Sequence, residues 1–330
     1  MRDLAQLAEI IARGPGLVHK ADIATVTHML APSSEMSEQG AIMLGDDCAA
    51  IPDGDGYLLL AIEGFVNEFV NSQPWFAGYC GVMVNLSDIY SMGGRPIAVV
   101  DAVWSQGAEQ AHQIVDGLRS ASTRYGVPIV GGHSNLRTAH AQLAVGVLGR
   151  AKCLLSGFEA KKHQSLLAAI DLRGAFREPY PNWDASTHSP ADRLKEDLEI
   201  LPELAESGLC AAAKDISMAG VLGTVLMLLE SSGLGGVVDI NAIPRPDGVC
   251  IERWLKCFPS YGFVLSVDDK NVKAVINRFH GRDIACAVIG TTDETGCLHI
   301  TDGDEKALVW DLSEHPLTGC GPQVRQGTHS

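Results

Sequence analysis

"PWFAGYCGVMVNLSDIYSMGGRPIAVVDAVW", residues 74–104, changes its period part-way along. As far as Met92 the apolar residues keep helical spacing, with Val82, Leu86 and Ile89 on one face. Gly93, Gly94 and Pro96 then stop the helix. "IAVVDAVW" (97–104) follows as a continuous apolar run, the pattern of a buried strand. A helix that hands directly to a strand predicts a mixed α+β chain.

Outward from this stretch the alternation continues. "YLLLAIEGF" (57–65) reads as a buried strand, 108–125 as a helix ending at Gly126, "VPIVGGHSN" (127–135) as a strand entering a glycine turn, and 141–150 as a closing strand. In the second half, 165–174 reads as a strand and 175–190 as irregular. A charged helix over 191–207 has Leu194, Leu198 and Leu201 on its apolar side, and 215–233 forms a long apolar helix with a glycine stop. Strand 261–267, helix 268–280 and strand 284–290 make a β-α-β unit. Strands mixed with helices in both halves predict two α+β domains, each with a sheet covered on one face, divided as 1–152 and 153–330. Before them lies an amphipathic helix, "MRDLAQLAEIIARGPG"; the Ser-rich stretch 21–40 reads as mobile and the last dozen residues as a loose tail.

Composition narrows the class. The chain has 330 residues, 46% apolar and 20% charged, which fits globular domains. A net charge of −15 argues against a nucleic-acid partner, because phosphate backbones require a basic face. Nine scattered cysteines include no CxxC pair, so neither a zinc site nor a disulfide framework is expected. No apolar run reaches the roughly 20 residues of a membrane span, and the first residues do not read as an export signal. The expected location is the cytoplasm.

"GDDCAA" (45–50) sets Asp46 and Asp47 side by side, and adjacent carboxylates repel unless a cation faces them. Asp46, Asp47, Glu63 and Asp88 all fall at or near the ends of apolar elements, where they could share hard cations such as Mg²⁺. For Glu63 the alternative is a surface carboxylate at a strand end. Gly81, Asn85 and Asp88 form a polar strip on an otherwise apolar helix. The strip reads equally as a surface strip in which a buried Asn hydrogen-bonds the backbone. In "GGHSN" (131–135) the glycines allow close approach of a ligand, and His133 reads as a metal or phosphate contact or as a structural loop residue. "KDIS" (214–217) places Ser217 as N-cap of the long helix, with Asp215 beside an anion-accepting helix start, or as a plain cap. No Walker loop, GxGxxG or GxSxG occurs.

Taken in order, these motifs resemble the aminoimidazole ribonucleotide (AIR) synthetase-related superfamily. That group holds AIR synthetase, thiamine-monophosphate kinase, selenophosphate synthetase and the hydrogenase-maturation carbamoyl dehydratase. "GDDCAA" is similar to GDDAA, and "AIEGFV" (61–66) stands where the family has T-D-x-x-V. "VNLSDIYSMGGRP" (84–96) is close to the kinase's NLSDLAAMGArP, and "GGHSN" is similar to GGHS of selenophosphate synthetase. "DISMAGVLGTV" (215–225) is similar to DxTxGGL or DxSDGL, and "CFPSYGFVLSV" (257–267) to TFNMGIGM of AIR synthetase. The resemblance implies two α/β domains, with a β-α-β-type domain at the C-terminal end. It also implies a homodimer whose N-terminal sheets form a shared barrel, and ATP with Mg²⁺ in a cleft between domains. It implies that Asp46, Asp47 and Asp88 carry the chemistry, that these with Glu63 and Asp215 hold metal, and that Asn85, Gly132, His133, Ser217 and Gly220 contact the nucleotide.

Three positions depart from the pattern. Glu63 stands for the usual aspartate, His133 for the aspartate of the kinase's GGD, and Met218 for the second aspartate of DxSDG. The implied function is an ATP-dependent, Mg²⁺-requiring enzyme that phosphorylates or activates an oxygen of a small acceptor. The alternatives are thiamine-monophosphate kinase itself and a non-catalytic nucleotide-binding regulator. Arg173, Arg177, Tyr180 and Trp183 are the candidate grip on an acceptor.

Overall fold

The computed structural model describes residues 3–30 and 43–322. They form two compact units. One comprises Asp47–Leu154 and Ser186–Glu206; the other takes the described residues up to Asp46, Leu155–Ala185 and those from Ser207 onward. The expected break at 152/153 lies close to the crossing at 154/155, but neither unit is continuous. The first helices belong with the C-terminal half, and 186–206 belongs with the N-terminal half.

The chain begins with α1 (Leu4–Ala12), capped by the Asp3 side chain, and α2 (Pro15–Leu30). The expected mobile stretch 21–40 is therefore helical as far as Leu30, and the remainder of it, 31–40, lies outside the described residues.

The first unit then runs β1 (Ala49–Asp53), β2 (Gly56–Phe65), α3 (Asn67–Ser72), α4 (Pro74–Ser91), β3 (Arg95–Gln106), α5 (Ala108–Tyr125), β4 (Ile129–Asn135) and β5 (Arg137–Ala151). Its sheet has the order β1-β2-β5-β3-β4, with β3 and β4 parallel across α5 and the other pairs antiparallel. Val99, Val103, Val145 and Val147 are buried on one sheet face, whereas Leu60 (51%) and Ile62 (73%) remain exposed. The expectation of a fully buried β2 is corrected. Its open-face positions carry apolar side chains too, so the pattern is continuous although only one face is covered. Residues 131–135 also differ from expectation, because they continue β4 beside β3 and do not form a turn.

The second unit contains β6 (Ser165–Ile170), β7 (Ala175–Phe176) and β8 (Asn182–Asp184). Next come α6 (Ala191–Leu198) and α7 (Ile200–Glu206), which belong to the first unit and divide the expected single helix 191–207. The second unit resumes with β9 (Ala212–Asp215), α8 (Gly220–Ser232), β10 (Gly235–Asp239), α9 (Ile251–Leu255), β11 (Phe258–Pro259), β12 (Gly262–Val267), α10 (Asp269–His280), β13 (Ala285–Asp293), β14 (Cys297–Asp302) and β15 (Glu305–Asp311). Its seven-stranded sheet has the order β15-β14-β10-β13-β6-β12-β9. In the expected β-α-β unit, β12 and β13 both pair antiparallel to β6, which lies between them.

α8 is buried along almost its whole length, which is why its sequence reads apolar all round. The segment expected to be irregular carries β7 and β8, which form a small sheet with β11, and Trp183 of β8 packs edge-on against Phe176 and Trp254. Trp183 is therefore core, with its indole N–H donated to the Asp171 carbonyl. Arg173 pairs with Asp171, and Arg177 lies 3.7 Å from Asp184, so these two arginines are engaged inside the unit.

Candidate functional site

In the first unit, α4 supplies the polar strip. Asn85 is fully buried and donates its amide Nδ2 to the Gly81 carbonyl at 2.8 Å. Its Oδ1 has no hydrogen-bond partner. A buried amide oxygen left unpaired costs about 1–3 kcal/mol, so a ligand or ion that satisfies it gains that much. One turn on, Asp88 is buried. Its carbonyl accepts from Cys48 Sγ at 3.1 Å. Ser91 Oγ lies 2.8 Å from the same carbonyl and 2.6 Å from Asp47 Oδ2. Ser91 thereby ties Asp47 to the last turn of α4 beside Asp88, a role that inspection of the sequence missed.

Across the sheet, Glu63, Val145, Asp101 and Gly132 stand in one register row. Val145 marks the helix-covered face. A Cβ on Gly132 would come within 2.8 Å of the Asp101 carboxylate, so glycine there serves a close approach. Burial pushes the Asp101 carboxyl above its ordinary range. Its signal in the sequence is a lone acid inside an apolar strand. His133 follows Gly132, so strand alternation turns it to the opposite, open face, where its ring lies 5.8 Å from that of Trp104.

In the second unit, Asp46 is gripped from three directions. Its Oδ2 accepts from Ser156 Oγ at 2.6 Å and from the Gly157 amide at 2.9 Å, and its Oδ1 lies 3.2 Å from Lys214 Nζ. Both side chains of the ion pair are 3% exposed. Asp46, expected as a metal ligand, forms a buried pair with Lys214. Lys214 was missed, although a lysine in "CAAAKDI" is conspicuous.

Asp215 ends β9 and is half-buried. Ser217 does not cap α8. The helix starts at Gly220, and the Ser217 carbonyl accepts from the Gly220 amide at 2.8 Å. The Ser217 Oγ is buried without a partner. Gly220 has φ +69°, and a Cβ there would stand 2.1 Å from the Leu255 carbonyl oxygen, so only glycine makes this turn. Met218 beside it is exposed.

Among the described residues, no group of three or more His, Cys, Asp or Glu side chains converges as a metal cage. The thiols of Cys210, Cys257 and Cys286 are pushed up to about 12 by burial and stay protonated. Among the described residues no helix is long and apolar enough to cross a membrane.

Residues 45–151 match the model of the AIR synthase related protein N-terminal domain, and residues 165–302 match that of the C-terminal domain. The chain belongs to the AIR synthase related family. It is 46% identical over 308 residues to the uncharacterized protein sll0787 of Synechocystis sp., covering 92% of this chain and 94% of that one. Its fold is similar to T. maritima PurL complexed with ATP, with TM-score 0.70 and 19% identity over 93% of this chain. The chain spans 53% of that PurL chain, about half its length. AaThiL complexed with AMPPCP and TMP is similar at TM-score 0.63 and 15% identity, covering 86% of this chain and 96% of that one. Both solved structures share the two-domain α+β fold of this chain.

Proposed function

We propose that this AIR synthase related protein is an ATP-dependent, Mg²⁺-requiring enzyme that transfers a phosphoryl group to an oxygen of a small acceptor. One observation carries the reading. Asn85 Oδ1 and Ser217 Oγ are buried polar atoms without partners, and both belong to residues that the sequence motifs assign to the nucleotide. A bound nucleotide would supply the partners that these two atoms lack.

Asp47 and Asp88 are the residues assigned to Mg²⁺. Ser91 orients the first, and the two carboxylates offer hard oxygen ligands. Glu63 and Asp215 remain candidate ligands, and Asp46 contributes by holding Lys214. Bound Mg²⁺ would supply charge neutralisation to the phosphates. Ser217 Oγ and the backbone turn that ends at Gly220 would receive a phosphate oxygen by hydrogen bonding. Gly132 gives close access beside Asp101, and His133 lies on the opposite, open sheet face.

The open sheet face supports a homodimer. Leu60 and Leu148 are opposed across β2 and β5, and the next row holds Ile62, Gly146 and Val100. A contiguous apolar patch of this kind is covered in a stable protein, and a second copy offers the matching surface.

The regulatory reading rests on Met218, an exposed apolar side chain in the anion-accepting turn, where thiamine-monophosphate kinase has an acid. ADP release driven by one compound of a metabolite panel separates enzyme from sensor, and thiamine monophosphate belongs in that panel. Calorimetry tests the site directly. ATP binding should require Mg²⁺ and weaken at least tenfold in Asp47→Asn; equal affinity with and without Mg²⁺ would refute the assignment.

A further inference from the structure

The last turn of α8 holds two side chains that act away from its N-terminal end. Glu230 is buried, and its carboxylate collects four donors from one short segment. The Leu317 and Gly319 amides donate to Oε1 at 2.8 and 3.1 Å, while the Thr318 amide and Thr318 Oγ1 donate to Oε2 at 2.8 and 2.6 Å. A carboxylate near a helix C-terminus faces the unfavourable end of the dipole, so this ring of N–H groups is what makes the position tolerable. The segment from Leu317 to Pro322 is thereby pinned as a strap. The expectation of a loose tail from residue 319 is corrected for residues 319–322, and the residues beyond lie outside the described part.

The strap leads to the acidic motif. Gly45 has φ +112°, and a Cβ built on it would lie 2.3 Å from Cys320 Cβ and 2.5 Å from Cys320 Sγ. The strap's cysteine thus fills the space a side chain at 45 would need, and it presses on the residue before Asp46. The same α8 turn reaches that loop by a second arm. Ser232 Oγ donates to the Gly157 carbonyl at 2.7 Å, and the Gly157 amide donates to Asp46. Both arms, and the Gly45–Asp46 pair they grip, lie within one compact unit.

We propose that Glu230 and Ser232 are positioning residues for the Gly45–Asp46 loop. Glu230 acts through the 317–320 strap and Cys320, and Ser232 acts through the 156–157 turn. The consequence for ATP rests on the nucleotide reading above, but the coupling can be measured without nucleotide. The full-length variants are Glu230→Gln, Glu230→Ala and Ser232→Ala. They are compared with wild type by hydrogen exchange over residues 43–46 and by mass-resolved alkylation of Cys320. Losing hydrogen bonds to a charged acceptor corresponds to at least about a tenfold faster opening.

Both Glu230 variants should label Cys320 and exchange 43–46 at least about tenfold faster than wild type. Ser232→Ala should speed exchange at 43–46 while Cys320 labelling stays at the wild-type rate. In all three, amides of β6 and β12 should keep wild-type protection. The inference is overturned if Cys320 opens while 43–46 does not, if neither Glu230 variant releases Cys320, or if β6 and β12 lose protection equally. With ATP and Mg²⁺, the Glu230 variants should bind at least about fivefold more weakly than wild type. A wild type that fails to bind ATP defeats the nucleotide reading alone, because the exchange coupling is scored separately.

Discussion

Lys214→Met probes the buried pair at the acidic motif. Lys214 Nζ lies 3.2 Å from Asp46 Oδ1, and both side chains are 3% exposed, so water cannot replace either partner. Methionine keeps most of the apolar stem, so the change removes charge more than volume. Stripping one partner from a buried pair costs about 3–5 kcal/mol, because the remaining charge stays desolvated. At about 2–4 °C per kcal/mol for a unit of this size, the midpoint should fall by about 6–20 °C. Asp46→Asn should also destabilise, by leaving the ammonium buried. The double variant removes both charges, so its loss should fall short of the sum of the single losses by about 1–3 kcal/mol. Chemical denaturation of the four proteins in the cycle supplies the test. Additivity within about 0.5 kcal/mol would show that the two groups do not depend on one another and would sink the argument. The same cycle reports on function. If Asp46 serves Lys214 and not the metal, a folded double variant keeps its Mg²⁺ requirement for ATP binding, whereas Asp47→Asn loses it.

Burial holds the Asp101 carboxyl above its ordinary range, so the folded state binds its proton more tightly than the unfolded chain does. Its contribution is fully present below the ordinary carboxylate pKa and is lost as pH rises through the raised value. Asp101→Asn should therefore flatten the fall in thermal midpoint over that window; parallel curves for variant and wild type would contradict it. Gly220→Ala demands φ +69° of an L-residue and drives a Cβ to 2.1 Å from the Leu255 carbonyl. Strain of about 1–3 kcal/mol plus that clash should give a loss above about 3 kcal/mol in denaturant unfolding, and a loss below about 1 kcal/mol would refute it. Arg95 forks to Glu199 at 2.8 Å and Glu206 at 2.6 Å, with all three side chains 34–42% exposed. Screening limits Arg95→Ala to about 1 kcal/mol. The arginine holds Glu206 below its ordinary range. That share is present above the ordinary carboxylate pKa and should vanish as pH falls through the lowered one, which midpoints measured at stepped pH would reveal.

How far the sequence could be read depended on whether a feature lay along the chain or across it. The α4 helix, its stop and the β3 strand were readable, because apolar spacing and glycine punctuation are local signals. The approach of Asp47 to the α4 turn that carries Asp88 was partly readable, since two motif residues were assigned to one chemistry. Ser91, which connects them, carries no spacing signal of its own. Asp46 shows the limit most clearly. A carboxylate pair in sequence implies a facing cation, but no local signal shows that the two neighbours fall in separate compact units or that the first pairs with a lysine 168 residues away. The strap was misread for a related reason. "GCGPQ" (319–323) has the composition of a free tail, yet the Gly319 amide, with three donors from 317–318 just before it, reaches a glutamate 87–89 residues earlier. Composition reports what a segment can bury by itself, whereas the donors of 317–319 are satisfied by a side chain that no local window contains. The departures from motif expectation gather in the same way. His133 continues a strand, so its side chain is set by the alternation of β4, and the glycine beside it makes a close approach to Asp101 within the sheet.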